Sequence, residues 1–493
     1  MGHDDLKKAS VNGVLVSSSS QIVKFALQFG YQVAISRLLS PGDFGLVAMV
    51  APIVAFVAIL SDLGLSQATI QRREVDQEIL SFIFWCNCLA GLFIGVACLA
   101  LAPVAAAFYH EPNVVAIMGL SGAFLWLNAL GAQHQALLNR NLRFLDLAKI
   151  DVLAFLAGAV CGVAGAVHGL GYWSLMLTQG VTTLVSVALS WRAARWIPGP
   201  PRWVGAGRSA LKFGLNLTGF NFFNFFARNL DNVLIGRYLG QEQLGLYDRA
   251  YKLLLLPLTQ VSAPFARVVL PLLAKLADDP AAYRRAYLRV LEFIVLVTFP
   301  AIVFGGCHSS VLVVTLLGVQ WGGVAPIFSV LAVGAVLSQI THTTGWLFIS
   351  QDRTREMRNY GILSSIVFIT SFVVGLPWGA IGVATCYVGV GLVQGPLLWW
   401  ATTRVGPVSL RALVRSMLPH LVAAATLAGL HLALSRLVAV DIWLAGALFV
   451  LSYPVYLAVV ALFPDGRSCL AFLTGRARDL ARSLRRPAPC PPG

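Results

Sequence analysis

Polar side chains recur at helical spacing inside a stretch, residues 220–240, that is otherwise rich in phenylalanine and leucine. At intervals of three, four and three residues, they are Asn221, Asn224, Arg228 and Asp231. This spacing places all four on one face of a helix. Because a guanidinium binds phosphate oxygens well, the face predicts an anion-binding site. The alternative is that Arg228 and Asp231 pair with each other and only join neighbouring helices.

A second polar stripe lies near the start of the chain. At intervals of four, three, four and three residues, its members are Ser17, Gln21, Lys24, Gln28 and Tyr31. Shifted by 200 positions, this stripe superposes on the stripe of residues 221–231. Each stripe therefore carries one cation, and the two cations are displaced by about one helical turn. Lys24 has no acidic residue within one turn, so its ammonium still needs a partner.

Arrangements typical of catalytic or metal sites are missing from the sequence. The eight histidines show no HxxxH or HExxH spacing, and none of the eight cysteines forms a CxxC pair. Neither a GxSxG nor a Walker A sequence occurs. We therefore expect no enzymatic activity, no catalytic residue, no metal and no cofactor.

The chain as a whole is far more apolar than soluble domains are. Of its 493 residues 58% are hydrophobic and 12% are charged, and the mean hydropathy is +0.77. Soluble domains carry about 25% charged residues. Apolar segments of ~20 residues, which cross a bilayer as helices, recur from residue 16 to residue 463. These features predict an all-α integral membrane protein.

The hydrophobic pattern predicts about fourteen transmembrane helices. Their expected spans are 14–36, 43–66, 79–107, 113–133, 148–167, 170–191, 211–236, 246–271, 287–306, 323–348, 359–377, 379–403, 413–435 and 442–463. Of the 36 Lys and Arg residues, 28 then fall on one side, which the positive-inside rule makes cytoplasmic, together with both termini. The opposite side carries Arg37, Arg237 and Arg436, and its longest loop covers about residues 307–322. Topology thus explains the formal charge of +15, and no nucleic-acid partner is needed.

The two polar stripes belong to an internal repeat. ISRLLSPGDFGL, residues 35–46, aligns without gaps with IGRYLGQEQLGL, residues 235–246. Six predicted spans separate the copies, an even number, so we expect two parallel six-helix repeats followed by two C-terminal helices. The expected divisions are 1–200 for the N-terminal lobe, 201–404 for the C-terminal lobe, 405–466 for spans 13 and 14, and 467–493 for a basic cytoplasmic tail.

Charged side chains within the predicted spans mark the candidate site. A charge at mid-membrane costs at least ~2.5 kcal/mol, so such groups normally face protein or a water-filled cavity. The two stripes therefore predict a cavity whose substrate-binding residues are Lys24, Gln28, Asn221, Asn224 and Arg228. Their cations would attract an anionic substrate.

Four further charged residues near the span ends have two interpretations each. Arg249 and Lys252 stand in the first turns of the span 246–271, where they either line the cavity or extend to the outer interface. Asp62 and Arg267 lie close to the cytoplasmic ends of their spans and are gate or anchor residues.

Several motifs, in this order, resemble a known family. They are SRLLSPGDFGLVAMV in spans 1 and 2, SDLGLSQATIQ at 61–71, DNVLIGRYLGQEQLGLYDRAYKLLLLPL at 231–258 and GWLFISQDRT at 345–354. The chain resembles the colanic-acid and exopolysaccharide type of lipid-linked oligosaccharide flippase, in the polysaccharide-transporter branch of the multidrug/oligosaccharidyl-lipid/polysaccharide superfamily. The resemblance covers about residues 10–465.

This resemblance implies fourteen helices in two lobes that work by alternating access in a bacterial inner membrane. The implied substrate is an undecaprenyl-diphosphate-linked sugar repeat unit for exopolysaccharide or lipopolysaccharide biosynthesis. Its diphosphate would bind Lys24 and Arg228, and its glycan would bind the amides and aromatic side chains. Further implied partners are membrane lipids, a coupling H⁺ or Na⁺ with Asp231 and Asp62 as candidate sites, and polysaccharide polymerase or export machinery.

Three alternatives stay open from the sequence. A multidrug/toxin cation antiporter of the same superfamily also has two six-helix halves, but the first polar stripe here carries Lys24 and no carboxylate. A glycan ligase or polymerase is disfavoured by the short outer loops. The third alternative is a membrane scaffold for polysaccharide assembly that transports nothing.

Overall fold

A computed structural model describes residue 21 and residues 23–61, 69, 76–200 and 207–472. Asp62, predicted to act in ion coupling or gating, lies outside the described residues. The backbone at positions 221, 224, 228 and 267 is helical, but the side chains of Asn221, Asn224, Arg228 and Arg267 lie outside what the structure describes.

Across the described ranges the chain folds into helices and no strands. In chain order they are α1 (23–38), α2 (Pro41–Ser61), α3 (Gln77–Tyr109), α4 (Asn113–Arg140), α5 (Phe144–Val167), α6 (Trp173–Ala194), α7 (207–239), α8 (241–275), α9 (Pro280–Cys307), α10 (Ser309–Leu317), α11 (Val324–Ser350), α12 (Thr354–Gly375), α13 (Gly379–Thr403), α14 (Leu410–Leu437), α15 (Ile442–Leu462) and α16 (464–472). Short 3₁₀ turns cover Val319–Trp321 and Leu376–Trp378.

Local sequence signals explain several helix ends. Asp279, Ser409 and Asp441 directly precede α9, α14 and α15, and each side chain accepts a hydrogen bond from a backbone N–H of the first turn. The helical run Gly207–Lys275 is interrupted at Gly240, where φ is 82° and ψ is −179°. Because only glycine adopts this conformation without strain, the run divides there into α7 and α8.

The predicted integral membrane fold is confirmed. Within the described residues, nine helical segments are long and apolar enough to cross a membrane by length and composition, and Pro41–Val57 forms a shorter apolar helix. The count of about fourteen spans stays a prediction. The predicted outer loop of about residues 307–322 proves to be largely helical, since its apolar stretch forms α10 and the turn Val319–Trp321.

The chain folds into two compact units, of which the first comprises Met1–Asp248 with Leu316–Trp321. In this unit α3 packs on α4 and α5 packs on α6. Glycines permit the second contact, because a Cβ added at Gly158 or Gly162 would overlap the Thr182 or Thr178 side chain, respectively. Close helix approach at small residues is the usual way in which helices associate in a membrane.

The second unit comprises Arg249–Thr315 with Gly322–Gly493, and its core is built on α9. Every fourth residue of α9 is fully buried, and these residues are Tyr283, Tyr287, Leu291, Val295 and Phe299. The stripe packs against residues of α11, α14 and α15. The buried Tyr287 hydroxyl is paired with the Thr343 hydroxyl of α11 at 2.9 Å. The expected division into lobes at residues 200 and 404 stays a prediction.

Two loops, one in each unit, are built in the same way. Leu142 and Asp352 both have a φ of 55° and each is followed by an arginine. Arg143 pairs with Asp146 at 2.7 Å and donates to the Ala193 carbonyl at the end of α6. Arg353 pairs with Glu356 at 2.7 Å and donates to the Thr402 carbonyl at the end of α13. The two loops lie 210 residues apart, and the internal repeat with its offset of 200 residues stays a prediction.

Candidate functional site

Lys24, the cation of the first polar stripe, forms an ion pair that joins two helices. Its Nζ in α1 lies 2.8 Å from Oδ2 of Asp151 in α5. The Lys24 side chain is 29% exposed and that of Asp151 is 51% exposed. Asp151 is therefore the acidic partner of Lys24, which has no acidic residue within one helical turn in the sequence. No short-range pattern identified it, because 127 residues separate the two; the only signal was its position in the span 148–167.

Helix α1, which carries Lys24, is also held in place by contacts of Tyr31, seven residues further along the helix. The Tyr31 hydroxyl is paired with the Thr178 hydroxyl of α6 at 2.7 Å, and the Tyr31 ring meets the Phe155 ring of α5 edge to face. Gln28, one turn from Lys24, is exposed. The polar stripe thus divides into a buried anchor at Tyr31 and an accessible pair of polar side chains at positions 24 and 28.

Asp231, the acid of the second stripe, is a buried acceptor. Its Oδ2 accepts from the Tyr247 hydroxyl at 3.1 Å, and its Oδ1 accepts from the Asn232 backbone N–H at 2.9 Å. Tyr247 itself is 1% exposed. Because Tyr247 belongs to α8, this hydrogen bond connects α7 to α8 across the break at Gly240. Whether Arg228 also pairs with Asp231 stays a hypothesis, since the Arg228 side chain lies outside the described residues.

The two cations at the start of α8 differ in exposure. Arg249 is 8% exposed, whereas Lys252, three residues later, is exposed. Burial of Arg249 favours a side chain that faces protein over one that extends to the outer interface. That either residue binds substrate stays a prediction.

The first turns of α2 and α8 pack on each other within the first unit. These two turns correspond to each other in the predicted repeat. A Cβ added at Gly45 would overlap the Gln241 carbonyl oxygen, and one added at Gly245 would overlap the Pro41 carbonyl oxygen. Positions 41 and 241, like 45 and 245, differ by 200 residues. The contact is therefore reciprocal, since each glycine lies against a backbone carbonyl of the other helix start.

A second contact of the first unit covers the ends of α1 and α2. The Trp321 indole N–H donates to the Ser36 carbonyl at 2.7 Å, and its ring meets Phe44 edge to face. Gln320 donates to the carbonyls of Ser36 and Arg37, both at 3.1 Å. Residues 316–321, which the sequence predicted to belong to an outer loop, thus contact the C-terminal end of α1 and the first turn of α2.

The side chains at positions 24 and 28 present hydrogen-bond donors. Among the described residues no group of three or more His, Cys, Asp or Glu side chains could hold a metal ion. The accessible ammonium of Lys24 beside the accessible amide of Gln28 offers hydrogen-bond donors to an anion with polar substituents.

Comparisons with known proteins agree on a polysaccharide connection. A family model described as "Polysaccharide biosynthesis protein" matches residues 34–326. The chain is 26% identical over 397 residues to the lipopolysaccharide biosynthesis protein WzxC of Escherichia coli (strain K12), covering 79% of this chain and 80% of WzxC. It is 25% identical over 311 residues to the succinoglycan biosynthesis transport protein ExoT of Rhizobium meliloti (strain 1021), covering 62% of each chain.

The fold also matches a solved structure. The lipid II flippase MurJ in an inward closed conformation superposes with a TM-score of 0.70 at 14% sequence identity. The match covers 91% of this chain and 99% of the MurJ chain. At this level of identity the likeness concerns the fold.

Proposed function

Because this chain belongs to the polysaccharide biosynthesis protein family, we propose that it is a lipid-linked oligosaccharide flippase. In this proposal it moves an undecaprenyl-diphosphate-linked repeat unit from the cytoplasmic to the outer leaflet of a bacterial inner membrane, for exopolysaccharide or lipopolysaccharide biosynthesis. The names of WzxC and ExoT support the polysaccharide pathway, and the name of ExoT supports transport. The fold shared with the lipid II flippase MurJ supports the membrane mechanism.

The single observation that carries the proposal is the accessible cation inside a predicted span. Lys24 lies in the span 14–36 and keeps 29% of its side chain exposed. A charge facing hydrocarbon is costly, so we infer that this exposed part faces a water-filled cavity. The pairing with Asp151 uses one N–H donor of the Lys24 ammonium, and the remaining donors are suited to the phosphate oxygens of a diphosphate-linked lipid.

Energetically, the protein has to keep a polar glycan away from hydrocarbon during the crossing. The headgroup regions of the two leaflets are chemically alike, so transfer between them has a small net free-energy change. A cavity lined by Lys24, Gln28 and the polar stripe of α7 would lower the barrier by replacing the lost hydration with protein donors. The apolar tail of the substrate would remain in the bilayer.

We propose alternating access of the two repeats as the transport cycle. The reciprocal contact between Gly45 and Gly245 supports a closure in which equivalent helix starts meet. Both termini would be cytoplasmic, in keeping with the distribution of Lys and Arg. A gradient of H⁺ or Na⁺ would give direction, with Asp231 and Asp62 as the candidate coupling residues and Arg267 at the gate.

Leaflet-resolved detection of the lipid-linked glycan tests this function. Loss of the protein should leave the diphosphate-linked repeat unit in the inner leaflet, as measured by its accessibility to an impermeant glycan-modifying enzyme in vesicles of known orientation. Accumulation in the outer leaflet would favour a polymerase or ligase instead. An unchanged distribution between the leaflets would favour an assembly protein that transports nothing.

A matched pair of variants ties the function to the site. Lys24→Ala should abolish export of the repeat unit while the protein stays in the membrane. Lys149→Ala is the control, because Lys149 is an exposed lysine in the first two turns of α5. Equal export by the two variants would overturn the assignment of Lys24 to the substrate site.

A further inference from the structure

The ion pair between Lys24 and Asp151 is more accessible than the contact that α1 makes through Tyr31. The Asp151 carboxylate is 51% exposed, and among the described residues its one hydrogen-bond partner is Lys24. Asp231, by contrast, is 8% exposed and accepts two hydrogen bonds. Asp151 is therefore a carboxylate with one labile contact, whereas Asp231 is fixed by its surroundings.

Contacts other than this ion pair also hold α1 in position. Seven residues further along α1, Tyr31 is buried between α5 and α6, where it contacts Phe155 and is hydrogen-bonded to Thr178. These contacts already hold α1 against the same helix, α5, that carries Asp151. We therefore infer that the ion pair can open while α1 stays in place.

The electrostatics favour exchange of partners at Lys24. An exposed ion pair contributes little to stability, because both charges are well solvated when they separate. A lysine ammonium has three donors, and one carboxylate oxygen uses one of them. A diphosphate carries more negative charge and more acceptor oxygens than a single carboxylate, so it can take the place of Asp151 at Nζ.

We propose that Asp151 is the resident counter-ion of Lys24, which the diphosphate of the substrate displaces on binding and which displaces the diphosphate on release. This inference rests on the proposed flippase function. With the site empty, Asp151 keeps the cation neutralised. With the site occupied, the neighbouring carboxylate repels the diphosphate and limits its affinity, so that the substrate is bound weakly enough to leave in the other leaflet.

The test is a binding measurement on the purified full-length protein in detergent micelles, with farnesyl diphosphate as the probe. Asp151→Asn keeps the shape and an acceptor oxygen but removes the competing charge. We expect its Kd for farnesyl diphosphate to fall by about threefold, because this ratio corresponds to the free energy that an exposed ion pair contributes. Its transport rate should fall as well, since release becomes slower. Its thermal unfolding midpoint should stay close to that of the wild type.

Asp146→Asn is the matched control, because Asp146 lies on the same helix and also pairs with a cation, Arg143, at 2.7 Å. This substitution should leave the Kd unchanged. Lys24→Gln should raise the Kd, and the double variant Lys24→Gln/Asp151→Asn should bind no more tightly than Lys24→Gln alone, because the carboxylate acts through Lys24.

The outcomes separate the two proposals. A Kd for Asp151→Asn equal to that of the wild type, with Lys24→Gln still weakened, would overturn the counter-ion role and leave the flippase function standing. No binding of farnesyl diphosphate by the wild type would overturn the exchange at Lys24, and the leaflet distribution of the lipid-linked glycan would then decide the flippase function separately. Displacement of the probe by an equal concentration of phosphatidylglycerol in the micelles would assign the exchange to membrane headgroups and overturn the diphosphate as the displacing anion.

Discussion

Gly45 and Gly245 occupy equivalent positions in two helix starts that pack on each other, and neither has room for a Cβ. The atoms in the way are backbone carbonyl oxygens, of Gln241 and Pro41 respectively, which cannot rotate aside as a side chain can. Residues 41–45 and 241–245 thus form a contact that requires glycine both at position 45 and at position 245. In the proposed transport cycle, this contact has to separate when the protein opens on that side.

Gly45→Ala should destabilise the closed contact. Overpacking typically costs about 1–3 kcal/mol, which exceeds the gain of up to about 1 kcal/mol from replacing a helical glycine with alanine. The thermal unfolding midpoint of the purified protein should fall, and Gly245→Ala should have the same effect. Gly30→Ala is the control, because within the described part of the chain no atom outside the local backbone of α1 lies within 4 Å of its added Cβ. Midpoints that match the Gly30→Ala value would contradict the required close contact.

Tyr247→Phe should weaken the connection between α7 and α8. The substitution removes the hydroxyl that donates to Asp231 Oδ2, and a buried acceptor without its partner costs about 1–3 kcal/mol. We expect a lower unfolding midpoint and faster proteolysis at the break near Gly240. Tyr238→Phe, at a site that is 65% exposed, should behave as the wild type. If both variants unfold alike, the buried hydrogen bond contributes nothing measurable.

Arg353→Lys should loosen the loop between α11 and α12. Arg353 donates to the Thr402 and Val405 carbonyls, both at 2.8 Å, while also pairing with Glu356. The hydrogen bond to Glu356 raises the pKa of Arg353, so the guanidinium stays charged at any pH that the folded protein tolerates.

A lysine cannot make these contacts together, and hydrogen bonds from a charged donor are worth about 1.5–3 kcal/mol each. Denaturant titration of Arg353→Lys should therefore show a clear loss of stability. Arg358→Lys is the control, since Arg358 is exposed and hydrogen-bonds the neighbouring Asn359. A similar loss of stability in Arg358→Lys would show that the effect comes from replacing an arginine with a lysine in general, and not from the loop contacts of Arg353.

The sequence by itself determined the class of protein and the course of most helices. The span expected at 442–463 is the helix Ile442–Leu462, and that expected at 79–107 lies within Gln77–Tyr109. Apolar composition and helical periodicity are local properties of the sequence, so they predict helices without any knowledge of the tertiary contacts. The alignment of residues 35–46 with 235–246 predicted a repeat, whereas the contact between the two helix starts was visible only in the structure.

Only the tertiary structure decided which side chains are partners. Lys24 is paired with Asp151, 127 residues away, and Asp231 is hydrogen-bonded to Tyr247 across a break in the helix. The helical character of residues 309–317 within an expected loop was also missed, because this apolar stretch is too short to register as a span. Local patterns fix which face of a helix is polar, but the partner of that face depends on how distant helices pack together.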